Sequence, residues 1–381
     1  MMKRMDALTT PSNWQKVRLG DICEIVKGQQ INKISLNNTD KYPVINGGID
    51  FLGYTNKFNV SKNTIAISEG GTCGYVRFMK SDFWSGGHNY SLQKISNKVN
   101  NLCLYHILKS YEKDIMKLGV GSGLKNIQLK ALKDFEILLP PLNEQAAIAN
   151  ILSDVDRYLY SLDALILKKE SVKKALSFEL LSQKKRLKGF NQNWQKVRLG
   201  DIGKPCMCKR VMKHQTTRYG EIPFYKIGTF GNTADAFISK KLFLEYKTKY
   251  SFPKKGDILI SASGTIGRAV IYDGKPAYFQ DSNIVWIDND ETLVKNDFLF
   301  YVYSHVKWNT EHTTILRLYN DNFRNTLIPL PPLNEQAAIA NILSDVDHEI
   351  ISLKNKKRQF ENIKKALNHD LMSAKIRVLK K

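Results

Sequence analysis

The chain has 381 residues, with 58 Lys and Arg against 36 Asp and Glu, which gives a formal net charge of +22. Hydrophobic residues make up 43% of it, so wholesale disorder is excluded and two ordinary domains can be built. No stretch approaches the roughly 18 apolar residues of a membrane span, and we expect a soluble, cytoplasmic protein without a membrane partner. The five cysteines lack disulfide or zinc spacing and predict reduced thiols. The charge favours a polyanionic partner, most simply nucleic acid, although a ribosome-associated or membrane-surface protein would carry the same total.

Two blocks of the sequence occur twice. Residues 13–22 recur letter for letter at 193–202, and residues 139–156 recur at 330–347, while the segments between them diverge almost completely. So long a period excludes a solenoid and indicates a tandem duplication of one domain-plus-helix unit. The predicted segments are two globular domains, at 1–142 and 189–333, and two spacer helices, at 143–188 and 334–381.

The positive charge is shared by both globular domains. The first carries +8 and the second +7, while the helical segments carry +3 and +4. A single basic tail is therefore excluded, and we expect both domains to face the polyanion.

Each domain opens with an alternating apolar stretch, such as Val17, Leu19 and Ile22 after Trp14, which predicts a half-buried strand. Further β-rich runs occupy 64–67, 74–78, 257–260 and 268–272, and helical stretches lie near 102–117 and 296–305. The predicted fold class is α+β, with two mixed α/β domains, mainly antiparallel sheets and two long helices.

In each domain, a glycine-rich turn and a polar cluster are candidates for nucleic-acid contact. The turns at 68–74 and 261–267 would let a phosphate backbone approach closely, with an ordinary hairpin turn as the alternative. The clusters, in which 87–89 aligns with 281–283, carry groups that read base edges or that form strand-end turns. The candidate residues are Ser68, Gly70, Gly71, Thr72, Arg77, His88, Asn89, Lys226, Ser261, Ser263, Gly264, Thr265, Arg268, Gln280, Asp281, Ser282 and Asn283.

Catalytic signatures are missing from the sequence. It has no Asn/Asp-Pro-Pro-Tyr methyltransferase motif, no P-loop and no metal-ligand spacing of its histidines. Residues 119–123 (Gly-Val-Gly-Ser-Gly) faintly resemble a cofactor loop, but they follow a charged helical stretch and have no counterpart in the second half. We therefore expect no catalytic residue, metal or cofactor on this chain.

The spacer segments predict helices over 142–188 and from 333 to the C-terminus, because neither contains Gly or Pro. Each follows a Pro pair that suits a helix start, with Asn143 or Asn334 as the N-cap. Apolar residues at four-three spacing predict a coiled-coil seam. The seam positions are Ile148, Leu152, Val155, Leu159, Leu162, Ile339, Leu343, Val346, Ile350 and Leu353.

Lysines interrupt this seam at Lys169, Lys173, Lys357 and Lys364, and the neighbouring Val172 and Ile363 could rotate in. Because two such helices lie in one chain, we expect them to pair antiparallel within the molecule. The pair would form a bar of roughly 65 Å with one globular domain at each end. Dimerisation through separate parallel coils is the alternative.

The order of domain, repeated helix, domain and repeated helix resembles the specificity subunit of type I restriction-modification systems. The match covers nearly the whole chain and is strongest in Pro-Pro-Leu-Asn-Glu-Gln at 140–145 and its copy at 331–336. The opening Trp-x-x-x-x-Leu-Gly-Asp-Ile and the stretch at 256–267 are also similar to this family. The first half departs from the last of these patterns, with Cys73 in place of the second isoleucine.

This resemblance implies two target-recognition domains, each reading a few base pairs of double-stranded DNA in the major groove. The target would be an asymmetric bipartite sequence with an unspecified spacer. The implied partners are two modification subunits, which methylate adenine with S-adenosylmethionine, and restriction subunits, which use ATP and Mg. The modification subunits are expected to pack on the repeated helices.

Two other classes stay open. One is an enzyme that retains its own methyltransferase or nuclease centre, and the other is a coiled-coil adaptor that does not bind DNA.

Overall fold

The computed structural model describes residue 11, residues 13–312 and residues 316–378. They form two compact units. The first takes the described residues up to Ala164 and those from Asn355 onward, and the second takes Leu165–Lys354. In the described part of the chain, no helix is long and apolar enough to cross a membrane.

The described residues of the first half form eleven strands and five α-helices. Its strands are Gln15–Arg18 (β1), Glu24–Lys27 (β2), Tyr42–Ile45 (β3), Gly53–Thr55 (β4), Thr64–Ser68 (β5), Val76–Met79 (β6), Trp84–Ser85 (β7), Asn89–Gln93 (β8), Gly119–Val120 (β9), Asn126–Ile127 (β10) and Glu136–Leu139 (β11). Its helices are Leu19–Ile22 (α1), Asn101–Ser110 (α2), Glu112–Met116 (α3), Leu129–Lys133 (α4) and Leu142–Leu181 (α5).

The described residues of the second half repeat this inventory. The strands are Gln195–Arg198 (β12), Gly203–Met207 (β13), Ile222–Tyr225 (β14), Ala236–Ile238 (β15), Ile258–Ser261 (β16), Ala269–Ile271 (β17), Tyr278–Phe279 (β18), Ile284–Asn289 (β19), Glu311–His312 (β20), Leu316–Arg317 (β21) and Leu327–Leu330 (β22). The helices are Leu199–Ile202 (α6), Lys240–Lys249 (α7), Asn296–Tyr303 (α8), Asn320–Asn325 (α9) and Leu333–Met372 (α10).

Both domains use one sheet plan. The first has a four-stranded antiparallel sheet in the order β2-β8-β5-β6, and the second has its equivalent, β13-β19-β16-β17. A three-stranded sheet accompanies each one, β4-β3-β7 and β15-β14-β18, with a single parallel pair in each. The duplication therefore extends through the divergent segments, and the predicted α+β class with mainly antiparallel sheets is confirmed.

Two local predictions need correction. The opening strand ends at Arg18, and Leu19 and Ile22 lie on the short helix α1, where spacing of three residues buries both side chains on one face. The predicted helical stretch at 102–117 is two helices, α2 and α3, that meet at Tyr111.

The long helices begin at the predicted Leu142 and Leu333, but the N-cap assignment is wrong and both helices end earlier than expected. The Gln145 N–H donates to the Pro141 carbonyl at 2.9 Å, so Asn143 lies inside the first turn and is not the N-cap. At the other ends, Gln183 and Ala374 adopt left-handed φ values of 59° and 55° and stop the helices without a glycine. The prediction that the first long helix continues to Lys188, which rested on the absence of glycine, is therefore wrong: α5 ends at Leu181.

The two long helices run antiparallel within each unit. In the first unit, Lys357 pairs with Asp163 at 2.6 Å and Lys364 pairs with Asp156. In the second unit, Lys173 pairs with Asp347 at 2.5 Å. Residue numbers rise along one helix as they fall along its partner, which confirms intramolecular antiparallel pairing.

The seam lysines keep their positions, because each pairs with an acidic residue of the opposite helix; Lys169, for example, pairs with Glu349 at 2.7 Å. The expected rotation of Val172 and Ile363 is wrong, since these side chains are 46% and 50% exposed. Of the predicted seam, six side chains are buried and four are half-buried. The buried ones are Ile148, Leu152, Leu162, Ile339, Leu343 and Ile350, and the half-buried ones are Val155, Leu159, Val346 and Leu353.

The ends of the long helices complete the domain cores. In the first core, Ile148 and Leu152 of α5 join Leu371 and Met372 of α10. In the second core, Ile339 and Leu343 of α10 join Leu180 and Leu181 of α5. The start of the predicted seam thus belongs to a globular core.

A buried carboxylate ties each domain to its helix. In the first unit, Glu144 accepts from Trp14 Nε1 at 3.2 Å and from Arg377 Nε at 2.8 Å. In the second, Glu335 accepts from Trp194 Nε1 at 2.9 Å and from Arg186 Nε at 3.2 Å.

The next residue in each copy, Gln145 or Gln336, makes three hydrogen bonds to main-chain groups of the domain. These contacts account for the identical Glu-Gln in both halves.

Candidate nucleic-acid interface

The glycine loops, defined as residues 68–74 and 261–267, join β5 to β6 and β16 to β17. Each is closed across its base by an equivalent hydrogen bond, from Gly74 N to Ser68 O at 2.8 Å and from Gly267 N to Ser261 O at 2.9 Å. The main chain is left-handed at Gly71 (φ 67°) and at Gly264 (φ 64°). The two loops therefore share one backbone path, although three of their seven residues differ.

In each domain, the glycine loop lies against the polar cluster that the sequence singled out. Glu69 N donates to His88 O at 2.8 Å, and Ala262 N donates to Asn283 O at 2.7 Å. His88 thus corresponds to Asn283. The aligned pair of Asn89 and Asn283 was off by one position, because strand register sets this correspondence and a weak sequence echo does not.

Burial divides the candidate residues into three groups. Five are buried and shape the loops, so the expectation that they face a duplex needs correction: Ser68, Gly70, Asn89, Ser261 and Ser263. Five are exposed: Gly71, His88, Gly264, Thr265 and Arg268. Seven are half-buried: Thr72, Arg77, Lys226, Gln280, Asp281, Ser282 and Asn283.

Two of the buried candidates, Ser68 and Ser263, contact other candidates. Ser68 Oγ lies 3.4 Å from Asn89 Oδ1 on the adjacent strand, and Ser263 Oγ donates to Asn283 Oδ1 at 2.7 Å. Gln280 braces a neighbouring loop, since its Oε1 accepts from Ile227 N at 2.9 Å.

The two candidate arginines hydrogen-bond to the main chain of neighbouring loops. The Arg77 guanidinium donates to the Gly48 and Ile49 carbonyls, and it lies 5.2 Å from the centre of the Phe51 ring. These neutral partners leave its positive charge free to attract phosphate. Arg268 Nη1 likewise donates to a carbonyl, Phe230 O, at 2.9 Å.

Lys226 differs from the two arginines. Its ammonium group pairs with the Asp235 carboxylate at 2.9 Å, which offsets much of its charge.

Glu69, a buried carboxylate of the first glycine loop, was not predicted from the sequence. Glu69 pairs with Lys27 Nζ at 2.7 Å, lies 3.3 Å from Tyr90 OH and lies 3.9 Å from His88 Nδ1. Burial and this carboxylate raise the pKa of Tyr90 to about 12. Ala262 takes the equivalent position in the second domain. The sequence signal that could have identified Glu69 is the presence of one acidic residue among the small residues of the loop.

The second domain has a missed residue of its own. Arg317, on β21, donates from Nη2 to Asn283 Oδ1 at 3.0 Å, and Asn283 also accepts from Ser263. No sequence motif surrounds Arg317, so only the fold reveals this contact.

The glycine stretch at 119–123 lies in a hairpin, β9–β10. Ile127 of this hairpin donates from N to Glu69 O at 2.9 Å, and in the second domain Leu318 donates from N to Ala262 O at 2.9 Å. The β20–β21 hairpin is therefore its structural counterpart, although it lacks a glycine-rich sequence. Residues 313–315, between its two strands in sequence, lie outside the described residues.

Within the ranges that the structure describes, no cluster of His, Cys, Asp or Glu side chains could hold a metal ion. All five cysteines are unpaired there, and burial raises the pKa of Cys103 to about 12.

Two basic domains built on one plan, with the same loop path and different polar groups along it, define a duplicated recognition protein. A family model for the type I restriction modification DNA specificity domain matches residues 11–170 and 191–362. The chain belongs to this family of DNA specificity subunits, which is non-catalytic.

The chain is 41% identical over 319 residues to a type I restriction enzyme specificity subunit of Haemophilus influenzae, covering 78% of this chain and 80% of that protein. It is 28% identical to the type I restriction enzyme MjaVIII specificity subunit of Methanocaldococcus jannaschii, covering 99% and 96%. Its fold is similar to the crystal structure of the type I S subunit from M. genitalium, with a TM-score of 0.67, 23% identity and coverage of 97% and 99%.

Proposed function

We propose that this chain reads an asymmetric bipartite target in double-stranded DNA, one half-site per domain, and directs adenine methylation and restriction by partner subunits. One observation carries the proposal: the two glycine loops share a backbone path but present different groups. His88 is exposed beside the first loop, whereas Arg268 is exposed directly after the second. Two domains would then approach DNA alike and select different bases.

The proposed contacts are the exposed and half-buried candidates around each loop. The guanidinium groups of Arg77 and Arg268 would attract phosphate, because neither is paired with a carboxylate in the contacts described above. The affinity that they contribute would fall steeply as the salt concentration rises, because binding releases counterions from the DNA.

The proposed partners are two modification subunits, packed on the repeated helices, and restriction subunits. S-adenosylmethionine, ATP and Mg would bind to those partners, in the cytoplasm. Exposed apolar side chains at matching positions of the two helices support this assignment. Tyr160 and Ile351 are 77% and 54% exposed, and Val172 and Ile363 match in the same way. A repeated apolar surface suits two copies of one partner.

Exchanging residues 24–137 for the equivalent segment of another family member tests the proposal. Methylome sequencing of cells that carry the hybrid chain and the modification subunits should show one half-site replaced and the other kept, because each domain reads alone. Change in both half-sites would contradict the modular assignment.

Two further measurements address the other classes. Binding of S-adenosylmethionine by the isolated chain would favour an enzyme with its own centre. Equal affinity of the complex with the modification subunits for random and cognate duplexes would favour an adaptor.

A further inference from the structure

The β9–β10 hairpin projects from the first domain. We call residues 119–127 the finger. Every residue from 120 to 126 is exposed, and the apolar side chains of Leu124 and Val120 are 81% and 55% exposed. Exposed apolar side chains at the tip of a hairpin contribute nothing to the core, and they suit contact with another molecule.

The finger is joined directly to the first glycine loop. Its Ile127 donates from N to Glu69 O at 2.9 Å and accepts from Tyr90 OH at 2.9 Å. Asn126 lies over the loop so closely that a Cβ at Gly70 would be 2.2 Å from its Oδ1. Whatever approaches the loop therefore meets the finger as well.

Gly123, in the finger, is a glycine that the fold does not require. Its φ is outside the left-handed range, and a Cβ there would meet nothing within 4 Å. Gly228 in the second domain has the same two properties, and it lines one pocket together with Gly264 and Thr265 of the second glycine loop. Neither the backbone conformation nor the packing of the fold requires glycine at these two positions. A glycine there would allow the surface of another molecule to approach the main chain closely.

The finger also carries positive charge. Lys125 is exposed, and the described residues place no carboxylate within ion-pair distance of its ammonium group. An unpaired cation next to an open main chain suits a polyanion better than an apolar protein surface.

We propose that the finger is a second DNA-contacting element of the first domain. Gly123 lies against the sugar-phosphate backbone, Lys125 contacts a phosphate, and Leu124 makes apolar contact with base edges, where the thymine methyl is the main apolar group. This inference rests on the proposed function, because it assumes that the adjacent glycine loop faces DNA.

The test uses the full chain in complex with the modification subunits and a duplex of the sequence that methylome analysis identifies. Gly123→Val should lower the affinity about tenfold, because the added side chain separates finger and backbone without disturbing any neighbour. Lys125→Ala should weaken binding to cognate and scrambled duplexes alike and reduce the salt slope by about 1.

Matched controls are available in the chain. Gly228→Val should lower affinity through the other half-site, so duplexes mutated in one half-site separate the two variants. Lys98→Ala removes an exposed lysine beside the start of α5 and should leave affinity and salt slope unchanged. Replacing residues 121–125 by Asn-Gly, a turn suited to a two-residue hairpin, gives a second variant that lacks the tip.

Wild-type affinity in Gly123→Val and in the shortened hairpin would overturn the proposal. Loss of modification subunits from the complex, with DNA binding unchanged, would also overturn it by making the finger a protein contact. If the wild-type complex did not distinguish cognate from scrambled duplex, the proposed function would fail. The salt slope of Lys125→Ala would still report whether the finger contacts DNA.

Discussion

The two glycine loops follow the same path and stabilise it with different chemistry. Under the first loop, the Glu69 carboxylate pairs with Lys27 at 2.7 Å. Beside the second, Asn283 accepts from Ser263 at 2.7 Å and from Arg317 at 3.0 Å. The main chain is kept while its polar support is replaced, so recognition residues can change without rebuilding the domain.

The same contrast recurs where each domain meets its long helices. In the first unit, His106 of α2 is buried near the Asp156–Lys364 pair. In the second, Tyr301 OH donates to Asp347 Oδ2 at 2.9 Å, and Asp347 pairs with Lys173. The same place in the fold is therefore taken by a titratable histidine, His106, in the first half and by a hydrogen-bonded tyrosine, Tyr301, in the second.

The largest expected effect tests what the halves share. Glu144→Gln and Glu335→Gln should each cost about 3 kcal/mol of unfolding free energy, because an arginine loses its buried carboxylate partner. Urea unfolding measures both. Glu24→Gln, which removes an exposed pair with Lys94, should have little effect and serves as the control. A large loss of unfolding free energy for only one of the two variants would show that the Glu144 and Glu335 clusters are not equivalent.

The next effect tests what the halves do not share. Burial lowers the pKa of His106 from 6.5 to about 4, Lys364 adds to this shift, and Asp156 opposes it. The unfolded chain takes up the proton first as pH falls. The free energy of unfolding is therefore unaffected by His106 above pH 6.5. It falls between pH 6.5 and about pH 4, by up to about 3 kcal/mol, because protonation of the imidazole favours the unfolded chain.

His106→Phe should remove this acid sensitivity, because phenylalanine cannot titrate. The measurement is urea unfolding at pH 7.5 and pH 5, with Tyr301→Phe as the matched change in the other half. An unchanged difference between the two pH values in His106→Phe would rule out this imidazole as the cause.

The smallest effect compares the two junction carboxylates. Asp347→Ala should cost about 1.5 kcal/mol, because both Tyr301 and Lys173 lose a partner, while Asp156→Ala should cost about 0.5 kcal/mol. Thermal or urea unfolding resolves this difference. Equal losses would show that the Tyr301 hydrogen bond contributes nothing.

The repeated blocks predicted the scaffold well, because a seam read at four-three spacing leaves few alternatives for two long helices. They also contain Trp14 and Glu144, but not the third partner of that cluster. Arg377 lies beyond the repeat that exact matching detects, so spatial proximity alone identifies it.

The glycine loops were predicted, but the burial of Ser68 and Asn89 was not. Alternate side chains on a strand face opposite sides, so a shift of one residue in register exchanges buried and exposed positions. Register depends on hydrogen bonding between segments far apart in sequence, which a local pattern of small and polar residues does not specify. The one-residue error at Asn283 has the same cause.

The second unit is continuous in sequence, from Leu165 to Lys354, whereas the first is closed by residues from Asn355 onward. Leu371 and Met372 fill the first core, and Arg377 neutralises Glu144. During synthesis, the first domain to leave the ribosome is therefore the last to be finished. Part of its core stays uncovered until translation has passed Arg377, so a chain that stops between Lys354 and Leu371 has a complete second unit and an open first one.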